Sequence, residues 1–189
     1  MKGVVIMGFP KCGTTSLLKY LEKKENLPIQ EQAGFYDHGV EGKITRREWC
    51  YLPFEETNKL FNKVFGNMED YKFVFITRDP VERIWSGWEA WRHYYAGYMF
   101  EQYLQLDTKE YNKRNPGKGL SYLGEISPIK QVNYHHYIQP FIARGLDVVI
   151  FKLEEIRKDP NFPQTNSLKK EPVPDDKRKL IEYYLKKNK

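Results

Sequence analysis

The chain contains three short runs of apolar residues, and each run has the length and composition of a β-strand. The runs are Gly3 to Met7, Lys72 to Thr77 and Asp147 to Phe151, and they are rich in Val, Ile and Phe. Continuous apolar runs without polar alternation are typical of strands that are covered on both faces of a parallel sheet. The pattern therefore predicts three buried parallel strands.

Between these runs, apolar residues recur at spacings of three and four, which indicates helices with one buried face. The first such stretch, residues 15–24, has Leu17, Leu18 and Leu21 at this spacing. Asp79-Pro80 marks another helix start, because proline is favoured at the first helical position. Further helices are predicted over residues 53–65, 129–143 and 175–187, whereas residues 25–52 and 107–128, which contain several Gly and Pro residues, are predicted to be irregular.

Strands that alternate with helices predict an α/β fold. We expect one three-layer domain over residues 1–189, in which helices flank both faces of a small central parallel sheet. A chain of 189 residues is long enough to bury such a core. With 40% hydrophobic and 30% charged residues, the composition is that of an ordinary globular domain and excludes a wholly disordered chain.

The distribution of charge and of apolar residues limits the classes of function that fit this chain. The net charge is +6, and +4 of it lies in residues 169–189, which hold eight Lys/Arg and four Asp/Glu. A nucleic-acid-binding protein would usually spread basic charge over a face, so this concentration favours a local anion site or a solvated tail. No run approaches the roughly 20 apolar residues that cross a membrane, and two Cys residues are too few for a disulfide scaffold. These features predict a soluble, cytoplasmic protein without a membrane partner.

The first predicted strand runs into a glycine loop with the residues of an anion site. Residues 8–16 read Gly-Phe-Pro-Lys-Cys-Gly-Thr-Thr-Ser and lead into a helix. In such a strand–loop–helix unit, backbone N–H groups of the loop and of the helix N-terminus surround a phosphate. A nucleoside-triphosphate P-loop would have Lys directly after Gly13, where this chain has Thr14. The loop therefore predicts a P-loop-like phosphate site without the apparatus for magnesium and a γ-phosphate.

A second candidate anion element follows the second predicted strand. Arg78 stands at the carboxyl end of that strand, where ligands bind in open α/β sheets, and Ser86 lies about two helical turns on. The planar fork of arginine suits a phosphate because it contacts two oxygens at once. The pair predicts a site for a second phosphate.

Together the two elements resemble the sulfotransferases that use 3′-phosphoadenosine 5′-phosphosulfate (PAPS). That family has a loop of the form Pro-Lys-Ser-Gly-Thr-Thr, which stands here as Pro10-Lys11-Cys12-Gly13-Thr14-Thr15. Its second element is Arg-Asp-Pro followed by Arg and Ser, which stands here as Arg78-Asp79-Pro80 followed by Arg83 and Ser86. The chain looks most similar to the carbohydrate (heparan-type) and tyrosylprotein branches.

The resemblance implies a role for each matched residue. Lys11 would lie at the phosphosulfate bridge and neutralise the leaving phosphate, and Arg78 and Ser86 would bind the 3′-phosphate. Lys169 and Lys170 stand near the place of a late element that closes over the cofactor in the family. Gly13, Thr14 and Thr15 would hold the 5′-phosphate, and Cys12 and Ser16 beside them are also implied to bind the cofactor.

Sulfuryl transfer also requires that the acceptor lose a proton, so a general base is expected. In the two branches named above, the base is a glutamate about twenty residues after the loop lysine, and Glu31 is 20 residues after Lys11. An alignment on the aromatic run that follows would place Gln32 there instead. Asp37 and His38 are further candidates, the latter because imidazole titrates near neutrality.

These inferences predict an enzyme that transfers a sulfuryl group from PAPS to a hydroxyl or amine of a small molecule, a glycan or a peptide, and releases 3′,5′-ADP. The chemistry requires no metal, and the sequence has no metal-ligand spacing. A nucleotide kinase or other NTPase is the alternative enzyme class. A non-enzymatic module that binds nucleotides or nucleic acid is the alternative outside catalysis.

Overall fold

The structure, a computed structural model, describes residues 2–25, 43–47, 52–92, 98–106, 127–163 and 172–188. The chain divides into two compact units. Unit 1 comprises Met1–Thr77 and His135–Ser167, and unit 2 comprises Arg78–Tyr134 and Leu168–Lys189. The single domain expected over residues 1–189 stays a prediction.

Unit 1 contains a parallel sheet, as the apolar runs predict. Its strands are β1 (Gly3–Met7), β2 (Lys43–Arg47), β3 (Tyr71–Thr77) and β4 (Asp147–Lys152). The strand order is β2-β1-β3-β4, and every neighbouring pair is parallel. The α/β class is therefore confirmed, with β1 and β3 in the two central positions.

The helices belong to both units. In chain order, those of the described residues are α1 (Thr14–Glu25), α2 (Phe54–Val64), a 3₁₀ turn (Met68–Asp70), α3 (Pro80–Trp91), α4 (Phe100–Leu104), α5 (Pro128–Gln131), α6 (Tyr134–Ala143), α7 (Leu153–Ile156) and α8 (Asp175–Lys187).

Apolar packing covers both faces of the sheet in unit 1. Phe73 and Phe75 of β3 point to one face of the sheet. The centres of these two rings each lie 5.3 Å from the ring of Phe141 in α6, and the Phe73 ring also lies 5.2 Å from Phe61 in α2. Ile76 points to the opposite face and approaches the start of α1 at Gly13. Helices over both faces make unit 1 the three-layer arrangement that continuous apolar strands require.

Unit 2 is built from helices α3, α4, α5 and α8 around a separate core. Its buried apolar residues include Ile84, Phe100, Ile129 and Ile181. Tyr103 is fully buried among them, and this burial raises the pKa of its hydroxyl to about 12, although the positive charge of Arg83 acts in the opposite direction. The phenol is therefore neutral throughout the physiological pH range.

The sequence-based prediction was wrong about one strand and about the burial of another. Residues 25–52 were expected to be irregular, but they contain β2, whose sequence Lys-Ile-Thr-Arg-Arg is too polar to be recognised as a buried strand. Strand β4 was expected to be buried, yet Ile150 is 45% exposed. Among the described strands, β2 and β4 are the outer ones, and an outer strand tolerates a more polar sequence or a more exposed residue than a central one.

The helices also differ in two places from the pattern. The helix predicted over residues 129–143 is divided into α5 and α6. The short helices α4 and α7, of five and four residues, were not predicted, because helices of this length show no full apolar repeat.

The first testable prediction concerns Gly13, which has a φ of +91° and whose added Cβ would lie 2.8 Å from Leu153 Cδ1. Gly145 has a φ of +71° with open space around it, so Gly145→Ala serves as the control. We expect Gly145→Ala to lower the free energy of unfolding by about 1–2 kcal/mol through backbone strain alone. Gly13→Ala should cost about 1–3 kcal/mol more, because the new methyl group also displaces Leu153.

Urea denaturation of the two variants measures the difference. Equal losses of stability would show that the Leu153 side chain moves aside without cost.

Candidate functional site

The topology of the sheet in unit 1 marks one place for a ligand. From β1 the chain moves to β2 at one edge of the sheet, and from β3 it moves to β4 at the opposite edge. The strand order therefore reverses between β1 and β3. In open α/β sheets, ligands bind at the carboxyl ends of the strands beside such a reversal. The glycine loop begins at this edge, directly after β1, and β3 ends here at Thr77.

Two buried side chains anchor the glycine loop. The Phe9 ring is fully buried and lies 6.0 Å from Phe75 and 6.2 Å from Tyr137. Cys12 is also fully buried, and its N–H donates to the Phe9 carbonyl oxygen at 3.1 Å. The Cys12 side chain thus fills space in the core at the position where the family motif has Ser.

Between these anchors, the backbone of Lys11 has a φ of +68°, in the left-handed region that non-glycine residues rarely occupy. Gly13 also has a positive φ, and Cys12 between them does not. An alternation of left-handed and right-handed residues turns successive N–H groups toward one side and forms a concave anion site. The Lys11 side chain is partly exposed, so it is accessible from solvent.

The N-terminus of α1 completes the loop. Helix α1 starts at Thr14, and the Leu17 N–H donates to the Gly13 carbonyl oxygen at 3.0 Å, which fixes Gly13 at the cap. Its first turn contains no acidic residue, and Lys23 and Lys24 lie in its last turn. The positive end of the helix dipole is therefore not offset by a carboxylate of its own first turn and favours an anion.

The hydroxyl residues of this turn differ in exposure. Thr14 and Ser16 are buried, and Thr15 is exposed. Thr14 packs so closely on Gly8 that a Cβ on Gly8 would lie 2.6 Å from Thr14 Cγ2. Thr15 is thus the hydroxyl of the turn with the widest access to solvent.

The second predicted element lies in unit 2, where Arg78 follows the end of β3. The Arg78 side chain is 5% exposed, and its Nη2 lies 3.4 Å from Glu82 Oε2. Asp79 caps α3, because its carboxylate accepts the Glu82 N–H at 2.9 Å. Ser86, further along the same helix, is buried.

Arg83, the second arginine of this motif, is part of the core of unit 2. Its side chain is fully buried in unit 2 and donates through Nη2 to the Gln131 side-chain oxygen. This contact joins α3 to α5 within the core. Arg83 therefore supports the helix that carries Ser86.

Sequence reasoning did not identify one charged contact of this element. Arg178 of α8 donates through Nη2 to Glu82 Oε1 at 3.0 Å, so Glu82 bonds to two arginines. The two partners are 96 positions apart in the chain, and the sequence placed Arg178 merely in the basic C-terminal region. No local pattern reveals a pair at that separation.

Several predicted residues lie outside the described part of the chain. They are the candidate bases Glu31, Asp37 and His38, the alternative alignment position Gln32, and the lysine pair Lys169 and Lys170. Within the described residues, no group of three or more His, Cys, Asp or Glu side chains is placed to hold a metal ion. None of the described helices combines the length and hydropathy needed to cross a membrane.

Comparison with known proteins supports the fold. The chain is similar to the crystal structure of a sulfotransferase from Alicyclobacillus acidocaldarius, with a TM-score of 0.62 and 15% sequence identity over 100% of this chain and 92% of that one. No family model matches the sequence, and neither does any curated protein. The chain therefore shares the α/β, P-loop-like fold of that sulfotransferase.

The left-handed conformation of Lys11 gives the second testable prediction. Lys11→Gly should be more stable to unfolding than Lys11→Ala, by about 1 kcal/mol, because glycine adopts this φ without the Cβ strain. Both variants lose the same ammonium group, so their difference isolates the backbone. Denaturation in urea measures it, and a glycine variant that is the less stable of the two would show that the loop stores no strain at this residue.

Proposed function

We propose that the chain is a sulfotransferase that moves a sulfuryl group from PAPS to a hydroxyl or amine acceptor. The observation that carries the proposal is the loop at the strand-order reversal, in which buried Phe9 and Cys12 hold Lys11 in a left-handed conformation before the N-terminus of α1. This loop lies in a fold shared with a bacterial sulfotransferase.

The loop residues provide the electrostatics that such a transfer requires. When the bond between sulfur and the bridging oxygen breaks, negative charge develops on the 5′-phosphate. Lys11 neutralises this charge, and the backbone N–H groups from Gly13 to Ser16 hold the phosphate oxygens, since the Cys12 N–H already donates to Phe9. Fixed donors aimed at developing charge lower the barrier, because they need no reorganisation as the reaction proceeds.

Arg78 and Ser86 take the 3′-phosphate in this proposal. Both side chains are buried, so few conformations of the arginine are open and little entropy is lost on binding. By the resemblance to the family, Lys169 and Lys170 are further candidates for contact with the nucleotide. Recognition at both the 3′ and 5′ positions selects PAPS over ATP.

On the acceptor side, one bond forms between the acceptor oxygen or nitrogen and sulfur, and the acceptor's proton passes to a base. Glu31 is the first candidate for this base, with Asp37 and His38 as the neighbouring alternatives, and Gln32 is the position that the other alignment places there. The motifs favour an acceptor of the type used by the heparan-type or tyrosylprotein branches, and a small molecule, a glycan or a peptide fits this chemistry.

Nucleotide binding provides the third testable prediction. We expect 3′,5′-ADP to bind more tightly than 5′-AMP, ADP or ATP in the absence of magnesium, as measured by isothermal titration calorimetry. Arg78→Ala should weaken 3′,5′-ADP binding by about 1.5–3 kcal/mol, the cost of losing a hydrogen bond to a charged group, and leave 5′-AMP binding nearly unchanged.

Arg92→Ala is the matched control for Arg78→Ala. Arg92 follows the last residue of the same helix, and its side chain is 62% exposed in an ion pair with Glu89. Its replacement should leave both affinities unchanged. Equal binding of 5′-AMP and 3′,5′-ADP would contradict the proposal, and tight binding of ATP with magnesium would favour the kinase or NTPase class.

The general base provides the fourth testable prediction. Glu31→Gln keeps the shape of the side chain and removes its basicity, so transfer should fall about 100- to 10,000-fold. The assay follows labelled sulfate from PAPS to a panel of glycans, tyrosine-containing peptides and phenols. Binding of 3′,5′-ADP should be unaffected.

Gln32→Ala, Asp37→Asn and His38→Ala belong in the same assay. Near-normal turnover of Glu31→Gln, together with loss in one of these variants, would move the assignment to that residue.

A further inference from the structure

In unit 2, one carboxylate joins two guanidinium groups from distant parts of the chain. Glu82 Oε2 lies 3.4 Å from Arg78 Nη2, and Glu82 Oε1 lies 3.0 Å from Arg178 Nη2. The Arg78 side chain is 5% exposed, whereas Glu82 and Arg178 are 37% and 40% exposed. The outer arginine is thus open to solvent beside a buried one.

The charge balance of the triad formed by Arg78, Glu82 and Arg178 indicates a role for Arg178. Arg78 and Glu82 alone have no net charge, and a phosphate monoester has a charge of about −1.5 to −2 at pH 7. A phosphate approaching that pair would meet the carboxylate as well as the guanidinium. The carboxylate of Asp79, which accepts the Glu82 N–H, would leave Arg78, Glu82 and Asp79 with a net charge of −1, and Arg178 removes this excess negative charge that would repel an anion.

The stability of α8 does not explain the position of Arg178. It is the fourth residue of that helix, after Asp175 and Asp176. Acidic residues near a helix N-terminus stabilise its dipole, and a cation there opposes it. An exposed ion pair contributes about 0–1 kcal/mol at most, so a single arginine on Glu82 would satisfy any structural need.

The position of Glu82 on α3 directs Arg178 toward the second phosphate element. Residues four apart in a helix lie on the same side, so Glu82 and Ser86 are neighbours one turn apart on α3. The contacts of both arginines with Glu82 therefore lie one helical turn from Ser86 along α3.

We propose that Arg178 is a further phosphate-binding residue of the element formed by Arg78 and Ser86, and that Glu82 is the positioning residue that holds both arginines. This inference rests on the proposed function, since it names an additional group for the 3′-phosphate. It assigns the C-terminal helix a part in nucleotide selection.

Calorimetry with 3′,5′-ADP and 5′-AMP tests the role of Arg178. Arg178→Ala should weaken 3′,5′-ADP binding about tenfold, as expected for a lost charged hydrogen bond, and leave 5′-AMP binding unchanged. Lys179→Ala is the control, because it removes the same charge from the next, exposed residue of α8, and it should change neither affinity more than about twofold.

Two further variants separate charge from folding. Arg178→Gln keeps a polar side chain that can still bond to Glu82, and it should show the same loss of 3′,5′-ADP binding as the alanine variant. Arg178→Lys keeps the charge and should recover part of the affinity, because an ammonium group attracts the phosphate without the bidentate geometry.

A double-mutant cycle tests the role of Glu82. If Glu82 positions Arg178, then Arg178→Ala introduced into the Glu82→Gln variant should weaken 3′,5′-ADP binding by less than about threefold relative to Glu82→Gln alone. The reason is that substitutions at contacting residues do not have additive effects on the free energy of binding. A full tenfold effect in that background would overturn the positioning role.

The outcomes distinguish this inference from the function on which it rests. If the unaltered protein binds 3′,5′-ADP no better than 5′-AMP, the proposed function fails and the inference fails with it. If the preference exists and depends on Arg78, but Arg178→Ala and Arg178→Gln behave like Lys179→Ala, the function stands and the role of Arg178 is overturned.

Discussion

The parallel pairing of β1 with β3 is the constraint on which the rest of unit 1 depends. Residues Gly3–Ile6 pair with Tyr71–Val74, so the two strands run in the same direction at the centre of the sheet. Their carboxyl ends share an edge, and the glycine loop begins at that edge. Without this register the loop would have no adjoining strand end, and the buried Phe9 would lose its packing against Phe75.

The same apolar packing that stabilises the sheet holds the loop in a costly conformation. Phe9 and Cys12 are fully buried on either side of Lys11, so the backbone between them has few alternatives to its left-handed geometry. Strain of this kind persists only where the surroundings determine it. The core of unit 1 thus contributes to the loop directly, by fixing the backbone at its one charged residue, Lys11.

The sequence was sufficient where structure depends on local pattern. Strands β1 and β3 and the glycine loop follow from apolar runs that end at glycine or at Arg78, and these features were predicted with bounds within one residue. Strand β2 was missed because a charged outer strand shows no apolar run. The contact of Glu82 with Arg178 was missed because it depends on the packing of α8 against α3, which no local pattern encodes.

The approach of Leu153 to Gly13 has a consequence for the evolution of the loop. The space that a side chain at position 13 would need is occupied by a residue of α7, which directly follows β4. A larger residue at position 13 would have to tolerate the positive φ there and displace the Leu153 side chain, unless position 153 became smaller. The two positions form a coupled pair, and the variety of loops open to homologues of this chain is limited by a side chain that lies more than a hundred residues away in sequence.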